Sequence, residues 1–174
     1  MAIEKPEYRV LSSSNGIELR EYQEHWLAEC SVDHIDDLRT ASTRAFNQLF
    51  NYISGQNQQG QKISMTSPVQ QFKSEKGWKV SFVVPSEFKP ENIPLPTNSS
   101  IELKQVVPGT FAALRYRGVW NNGVFAEKSK ELLDALKVLK IKPIGDITSA
   151  VYNPPFTPPI LRRNEVIVRV ENQQ

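Results

Sequence analysis

A single cysteine, Cys30, occurs in the 174 residues. That excludes an internal disulfide and any cysteine-rich zinc cage. Histidine is almost as scarce: His25 and His34 flank one extended segment that sets them ~30 Å apart, too far to share a metal ion. No apolar run approaches the ~20 residues of a membrane-spanning helix. Neither charge sign dominates, with 21 Lys and Arg against 19 Asp and Glu. The basic residues form no stripe, so nucleic acid is not an expected partner. The opening Met-Ala-Ile-Glu-Lys-Pro lacks the charged-then-apolar layout of a secretion signal. A cytoplasmic protein is expected, or an organellar one if a transit peptide has been removed. There is no glycine-rich phosphate loop, no His-Glu-x-x-His, no Gly-x-Ser-x-Gly and no Cys-x-x-Cys, so the familiar hydrolase, nucleotide and redox signatures are missing.

What is present is a strong alternation of strands and helices. Ile17-Glu18-Leu19-Arg20-Glu21-Tyr22 alternates with period 2, and Trp26 to Val32 reads as its antiparallel partner. Asp36 or Asp37 can cap a helix whose apolar positions are Leu38, Ala41, Ala45, Phe46, Leu49, Tyr52 and Ile53, closed by Gly55. A polar loop, Gln56 to Gln61, leads to strands over Ile63 to Phe72, interrupted at Pro68, and Trp78 to Val84. After a Pro- and Asn-rich stretch from Pro85 to Ser100 the order recurs. Ile101-Glu102-Leu103-Lys104 repeats Ile17-Glu18-Leu19-Arg20 at an offset of 84. Thr110 to Tyr116 follows, then a helix from about Val124 to Leu139 with Asn121 or Asn122 as cap. Phe125, Leu132, Leu133, Leu136 and Leu139 are expected to face inward, and strands at Ile144 to Tyr152 and Glu165 to Val170 close the chain. Eight strands and two helices in two copies describe one α+β domain spanning 1–174, with pseudo-repeats at about 15–85 and 100–171.

Two segments stand out chemically. Lys62-Ile63-Ser64-Met65-Thr66-Ser67-Pro68-Val69 puts a cation beside a soft thioether, which suits a flat apolar ligand with acidic substituents. Its plain reading is a strand start with an edge proline. Tyr152-Asn153-Pro154-Pro155-Phe156-Thr157-Pro158-Pro159-Ile160-Leu161-Arg162-Arg163 is stiffened by four prolines. It reads as a rigid crossover, as a prebuilt lid over a ligand, or as an SH3-type Pro155-x-x-Pro158 ligand. No catalytic residue is expected. Glu21 and Tyr22, the one adjacent acid/base candidate, alternate to opposite faces of their strand. Cys30, among apolar neighbours, reads as a buried structural thiol.

These segments, together with Ala45-Phe46-Asn47-Gln48-Leu49-Phe50-Asn51-Tyr52-Ile53-Ser54-Gly55, Val80-Ser81-Phe82-Val83-Val84-Pro85 and Arg162-Arg163-Asn164-Glu165-Val166, resemble the SOUL/HBP haem-binding family from about Tyr8 to Val170. The resemblance implies a distorted antiparallel β-barrel of two βαββ-type repeats with two helices packed outside, similar to gyrase-inhibitor-like and effector-binding folds. It also implies non-covalent binding of haem or another tetrapyrrole in a shallow groove. Carried over by residue, the groove comprises Met65, Lys62, Phe46, Leu49, Phe50, Ile53, Phe156, Arg162 and Arg163. Some relatives carry a histidine before the first-strand tyrosine. Here that position is Glu21, a poor iron ligand, so packing and propionate pairing are expected to hold a pigment without a strong axial bond. The function expected is a tetrapyrrole carrier or buffer; the alternatives are a regulatory module that binds a peptide or other small molecule, and an enzyme.

Overall fold

A computed structural model describes residues 3–173 and resolves the chain into two compact units. One unit holds Glu24–Val107 with the segment up to Pro6; the other holds Glu7–Gln23 and the chain from Pro108 onward.

The first unit contains β3 (His25–Asp33), α1 (Leu38–Ile53), β4 (Val69–Lys73), β5 (Gly77–Val83) and β6 (Ile101–Val106). Its strands pair antiparallel in the order β4-β5-β3-β6. The β3–β5 register sets Ala28, Cys30 and Val32 beside Phe82, Val80 and Trp78. These six side chains share one face, because directly paired residues point the same way. Against that face α1 buries Leu38, Ala41, Ala45, Leu49, Tyr52 and Ile53, the stripe expected from helical spacing except for Phe46, which stays exposed at its edge. Gly77 is required where it stands: a Cβ there would run into the Val32 carbonyl of the neighbouring strand.

The second unit contains β1 (Tyr8–Ser14), β2 (Ile17–Tyr22), β7 (Gly109–Tyr116), α2 (Asn122–Val138), β8 (Thr148–Val151) and β9 (Asn164–Arg169). Its strands run antiparallel in the order β1-β2-β7-β9-β8. Ile17, Leu19, Ala112, Leu114, Val166 and Val168 form the core with Leu132 and Leu136 of α2.

The α+β class of two repeats is the one expected, and the offset of 84 is written into the pairing. Ile17 pairs with Leu114, and Cys30 pairs with Ile101. Ile101 lies 84 positions after Ile17 and Leu114 lies 84 after Cys30, so the two pairings are one contact made twice. Each unit has therefore taken its β2- or β6-type strand from the other repeat's stretch of chain. The caps obey the same offset. Asp37 accepts from the Thr40 amide at 2.8 Å, and Asn121 from the Val124 amide at 2.9 Å.

Four local expectations change. β1 is an added strand, making nine among the described residues; its Tyr-Arg-Val-Leu-Ser-Ser-Ser is largely exposed and carries no two-residue alternation. The strand expected over Ile63 to Phe72 is continuous only from Val69, because Pro68 has no amide to donate; ahead of it Thr66 makes an isolated bridge to Glu4. The strand expected at Ile144 to Tyr152 shortens to Thr148–Val151, and Ile144 is exposed. Leu133 also faces outward, since α2 buries only the i, i+4 pair Leu132 and Leu136.

Two predictions follow from this framework. Asp37→Ala and Asn121→Ala should each cost about 1 kcal/mol in urea unfolding, the usual worth of a side-chain cap. An unchanged midpoint for either would show that its helix start is held by packing alone. Cys30 is fully buried, and burial pushes its thiol up to about 11. In native buffer it should react with a thiol reagent only at the unfolding rate; prompt labelling would place it at the surface.

Candidate functional site

The first unit carries an exposed aromatic stripe. Phe46 and Phe50 stand on the flank of α1, outside its buried face, at 37% and 50% exposure. Their rings stack 6.1 Å apart and within 13° of parallel, and Phe46 meets Phe82 edge-on at 5.3 Å. Arg39 and Thr43 precede them at helical spacing on the same side. Along the outer half of the helix an open, shallow depression of about 690 Å³ is lined by Arg39, Thr40, Thr43, Arg44, Asn47 and Gln48.

The segment after α1 is tied down closely. The Asn57 amide donates to the Tyr52 and Gln61 carbonyls, and its oxygen accepts from the Gln61 amide. The Ile63 amide reaches the Ile53 carbonyl at 2.8 Å, and the Thr66 hydroxyl donates to the Val83 carbonyl. Between these anchors Lys62 is exposed and Met65 half-buried. A polar, glycine-containing loop reads as flexible in sequence; here a buried asparagine holds it.

The second unit concentrates its unusual chemistry on the sheet face opposite α2. Arg20 and Glu165 are both fully buried and pair through two bonds of 2.7 and 2.8 Å. Arg20 also donates to the Tyr22 hydroxyl at 3.0 Å and lies 4.4 Å from the centre of the Tyr8 ring. Arg163 donates to Glu165 at 3.1 Å and to the Tyr8 hydroxyl at 3.0 Å, and stacks on Tyr152 at 3.9 Å. The Tyr152 hydroxyl donates to Glu165 at 3.2 Å, and Arg115 approaches the same carboxylate at 3.4 Å. Burial alone would push the Glu165 carboxyl up; Arg20, then Arg163, outweigh it and hold the group below the usual carboxylate range. Burial would likewise draw the Arg20 guanidinium down, and Glu165 holds it above its ordinary value. Burial, followed by the charge of Glu165, pushes the Tyr152 phenol up, and burial does the same for Tyr22. Both tyrosines thus stay neutral near pH 7.

The nine groove residues expected from sequence divide between the units. Phe46, Leu49, Phe50, Ile53, Lys62 and Met65 belong to the first unit, where Leu49 and Ile53 are buried beneath the exposed phenylalanines. Phe156, Arg162 and Arg163 belong to the second. Arg163 spends its guanidinium on Glu165 and Tyr8, while Arg162 donates to the Thr157 and Pro155 carbonyls of its own loop. Glu21, set apart as a poor iron ligand, pairs with Arg9 at 2.6 Å. Sequence reasoning missed the Arg20–Glu165 pair, because Glu18, Arg20 and Tyr22 alternate like a solvated strand face. The available signal was the tyrosines at positions 8, 22 and 152 flanking those charges.

Removing one member of the buried pair strands the other charge. Arg20→Met or Glu165→Leu alone should therefore cost about 3–5 kcal/mol in denaturant unfolding. The double variant should lose less than the sum by at least about 2 kcal/mol; strict additivity would mean that the pair is not coupled. Because the folded carboxyl titrates below the unfolded one, the unfolded chain takes up this proton first as pH falls. The stabilisation is complete above the unfolded value of ~4.3 and disappears as pH drops through the folded one. Glu165→Leu should correspondingly flatten the acid limb of stability against pH.

The family model described as SOUL heme-binding protein matches residues 3–169. Curated protein sequences provide no match. Among solved structures the chain is similar to the EcmrR C-terminal domain, with 11% identity over 95% of this chain and 99% of that one and a TM-score of 0.64. It is also similar to a hydrolase from Listeria innocua, with 9% identity over 92% and 94% and a TM-score of 0.59. EcmrR in a DNA complex aligns at 11% identity over 90% of this chain and 57% of that one, with a TM-score of 0.67. At such identities the likeness shows a shared fold.

Proposed function

The chain belongs to the SOUL heme-binding protein family, and we propose that it is a non-catalytic tetrapyrrole carrier that holds its pigment on the α1 side of the first unit. The carrying observation is the stacked, half-exposed Phe46–Phe50 pair. Two nearly parallel rings on a rigid helix offer a planar apolar surface that water solvates poorly, which suits the face of a macrocycle. Leu49 and Ile53, buried below, keep the helix from yielding. Met65 supplies a polarisable contact that adapts to a flat ring. Lys62 supplies charge for a propionate, and its segment is held by Asn57, so little ordering entropy opposes binding.

The energetics need no iron bond. Burial of one porphyrin face at ~25 cal/mol/Å² yields several kcal/mol before association costs, and the protein surface covered in the same contact and the propionate pairing add to it. The two histidines, the side chains best suited to iron, flank β3, His25 opening it and His34 following it, and neither belongs to α1. Haem chemistry, if the iron is used at all, would be the cofactor's own. This chain's residues bind, orient and shield.

Hemin and metal-free protoporphyrin should accordingly bind within about tenfold of each other, since only an axial bond separates them by more than ~1.4 kcal/mol. Phe46→Ala combined with Phe50→Ala should weaken both by tenfold or more in Soret and fluorescence titration, with the folded far-UV circular dichroism retained. A hundredfold preference for hemin that His25→Ala or His34→Ala abolishes would overturn the unligated reading. Unchanged affinity in the double phenylalanine variant would move the site off α1.

A further inference from the structure

We propose that the proline-rich loop of the second unit is a docking tip for the surface of an anionic lipid bilayer. Residues 154–161 read Pro-Pro-Phe-Thr-Pro-Pro-Ile-Leu, and seven of the eight are apolar. Phe156 is 86% exposed, Ile160 70% and Leu161 67%. A loop so apolar ordinarily folds onto a core, because water penalises the exposed surface. This one is held away. The Arg162 guanidinium ties the Thr157 and Pro155 carbonyls from inside, the Gly118 amide takes the Pro159 carbonyl, and Arg117 donates to the Ile160 carbonyl. With four prolines and these bonds the backbone has little freedom to tuck the side chains in.

The charge around the tip selects the partner. Tyr116 at the end of β7 pairs with Asn164 at the start of β9, so the 117–121 loop and the proline-rich loop emerge at the same end of this unit's sheet. The 117–121 loop adds Val119, 48% exposed, and Arg117. No Asp or Glu occurs from 103 to 126 or from 147 to 164, whereas these loops carry Arg117 and Arg162. An apolar tip whose two loops carry cations and no acid matches the combination a peripheral membrane contact requires: side chains for the acyl boundary, and positive charge for anionic headgroups. A second copy of the chain meeting the tip symmetrically would bring its own arginines against these. No helix of the described residues is long and apolar enough to cross a membrane, so the contact envisaged is superficial and reversible. It stands independently of the pigment reading, since neither Phe46 nor Phe50 takes part.

The test is co-sedimentation of the pigment-free full chain with vesicles of phosphatidylcholine alone and of phosphatidylcholine mixed with phosphatidylglycerol. The native chain should partition onto the mixed vesicles, less onto the neutral ones, and less again as salt rises. Phe156→Ser combined with Leu161→Ser should reduce that partition by at least about tenfold, and Arg117→Glu, which removes a cation and a bond to the Ile160 carbonyl, should reduce it most at low salt. Both sets of side chains are exposed, so the melting temperature should hold. No partition of the native chain, or partition that ignores the double substitution, overturns the proposal. A concentration-dependent dimer that the double variant abolishes would assign the tip to a second copy instead. Loss of porphyrin affinity in lipid-free buffer in that variant would assign it to the pigment site.

Discussion

The second unit is organised around one buried carboxylate. Glu165 sits on β9, between β7 and β8, and collects Arg20 from β2, Arg163 from the residue before its own strand, Arg115 from β7 and Tyr152 from the residue after β8. Tyr8 of β1 closes the set through Arg163 and by lying against Arg20. A shift of any of these strands by one residue would turn its contribution to the other sheet face and leave a charge unpaired in a buried site. Against apolar packing of equal volume such a pair adds little net stability. Its effect is to make alternative registers expensive. That matters most for β1, which is otherwise exposed and has little apolar patterning to place it.

Duplication explains the rest of the framework. The equivalence of Ile17–Leu114 and Ile101–Cys30 means that neither repeat closes its own sheet. β2 pairs with β7 and β6 with β3, so the strand that precedes each helical module is delivered by the other stretch of chain. A repeat cut out by itself would expose the edge this strand covers. The two copies have nevertheless diverged on the face away from the helices. The position of Arg20 in the second unit corresponds at the offset of 84 to Lys104 in the first, where it pairs with Glu102 at the surface. The charge-rich network belongs to one unit only, and the exposed aromatic stripe belongs to the other.

Both surfaces proposed to meet ligands depend on polar side chains that hold backbone. Asn57 fixes the segment that presents Lys62 and Met65. Arg117 and Arg162 fix the loop that presents Phe156, Ile160 and Leu161. In each case a polar side chain satisfies carbonyls that would otherwise need water, and an apolar or cationic neighbour is left outward-facing on a stiff support. A rigid presentation of this kind keeps the entropy cost of binding low, whether the partner is a flat macrocycle or a lipid surface.

Much of the fold was legible in the residues alone. The period-2 run at 17–22, the stripe from Leu38 to Ile53, the caps at Asp37 and Asn121 and the recurrence after 84 positions all follow from local spacing, because amphipathic period and capping chemistry act over a few residues. The family followed from several short motifs occurring in one order. Strand exchange between the repeats did not, since pairing partners 97 and 71 positions apart (Ile17 with Leu114, Cys30 with Ile101) leave no trace in either local pattern. Nor did the roles of Arg20, Arg162 and Arg163. An arginine on an alternating strand or in a loop looks the same in sequence whether it faces water, a ligand or a buried carboxylate. Only the tertiary structure, by burying Glu165 beside two of them and leaving the third to bind its own loop, decided which.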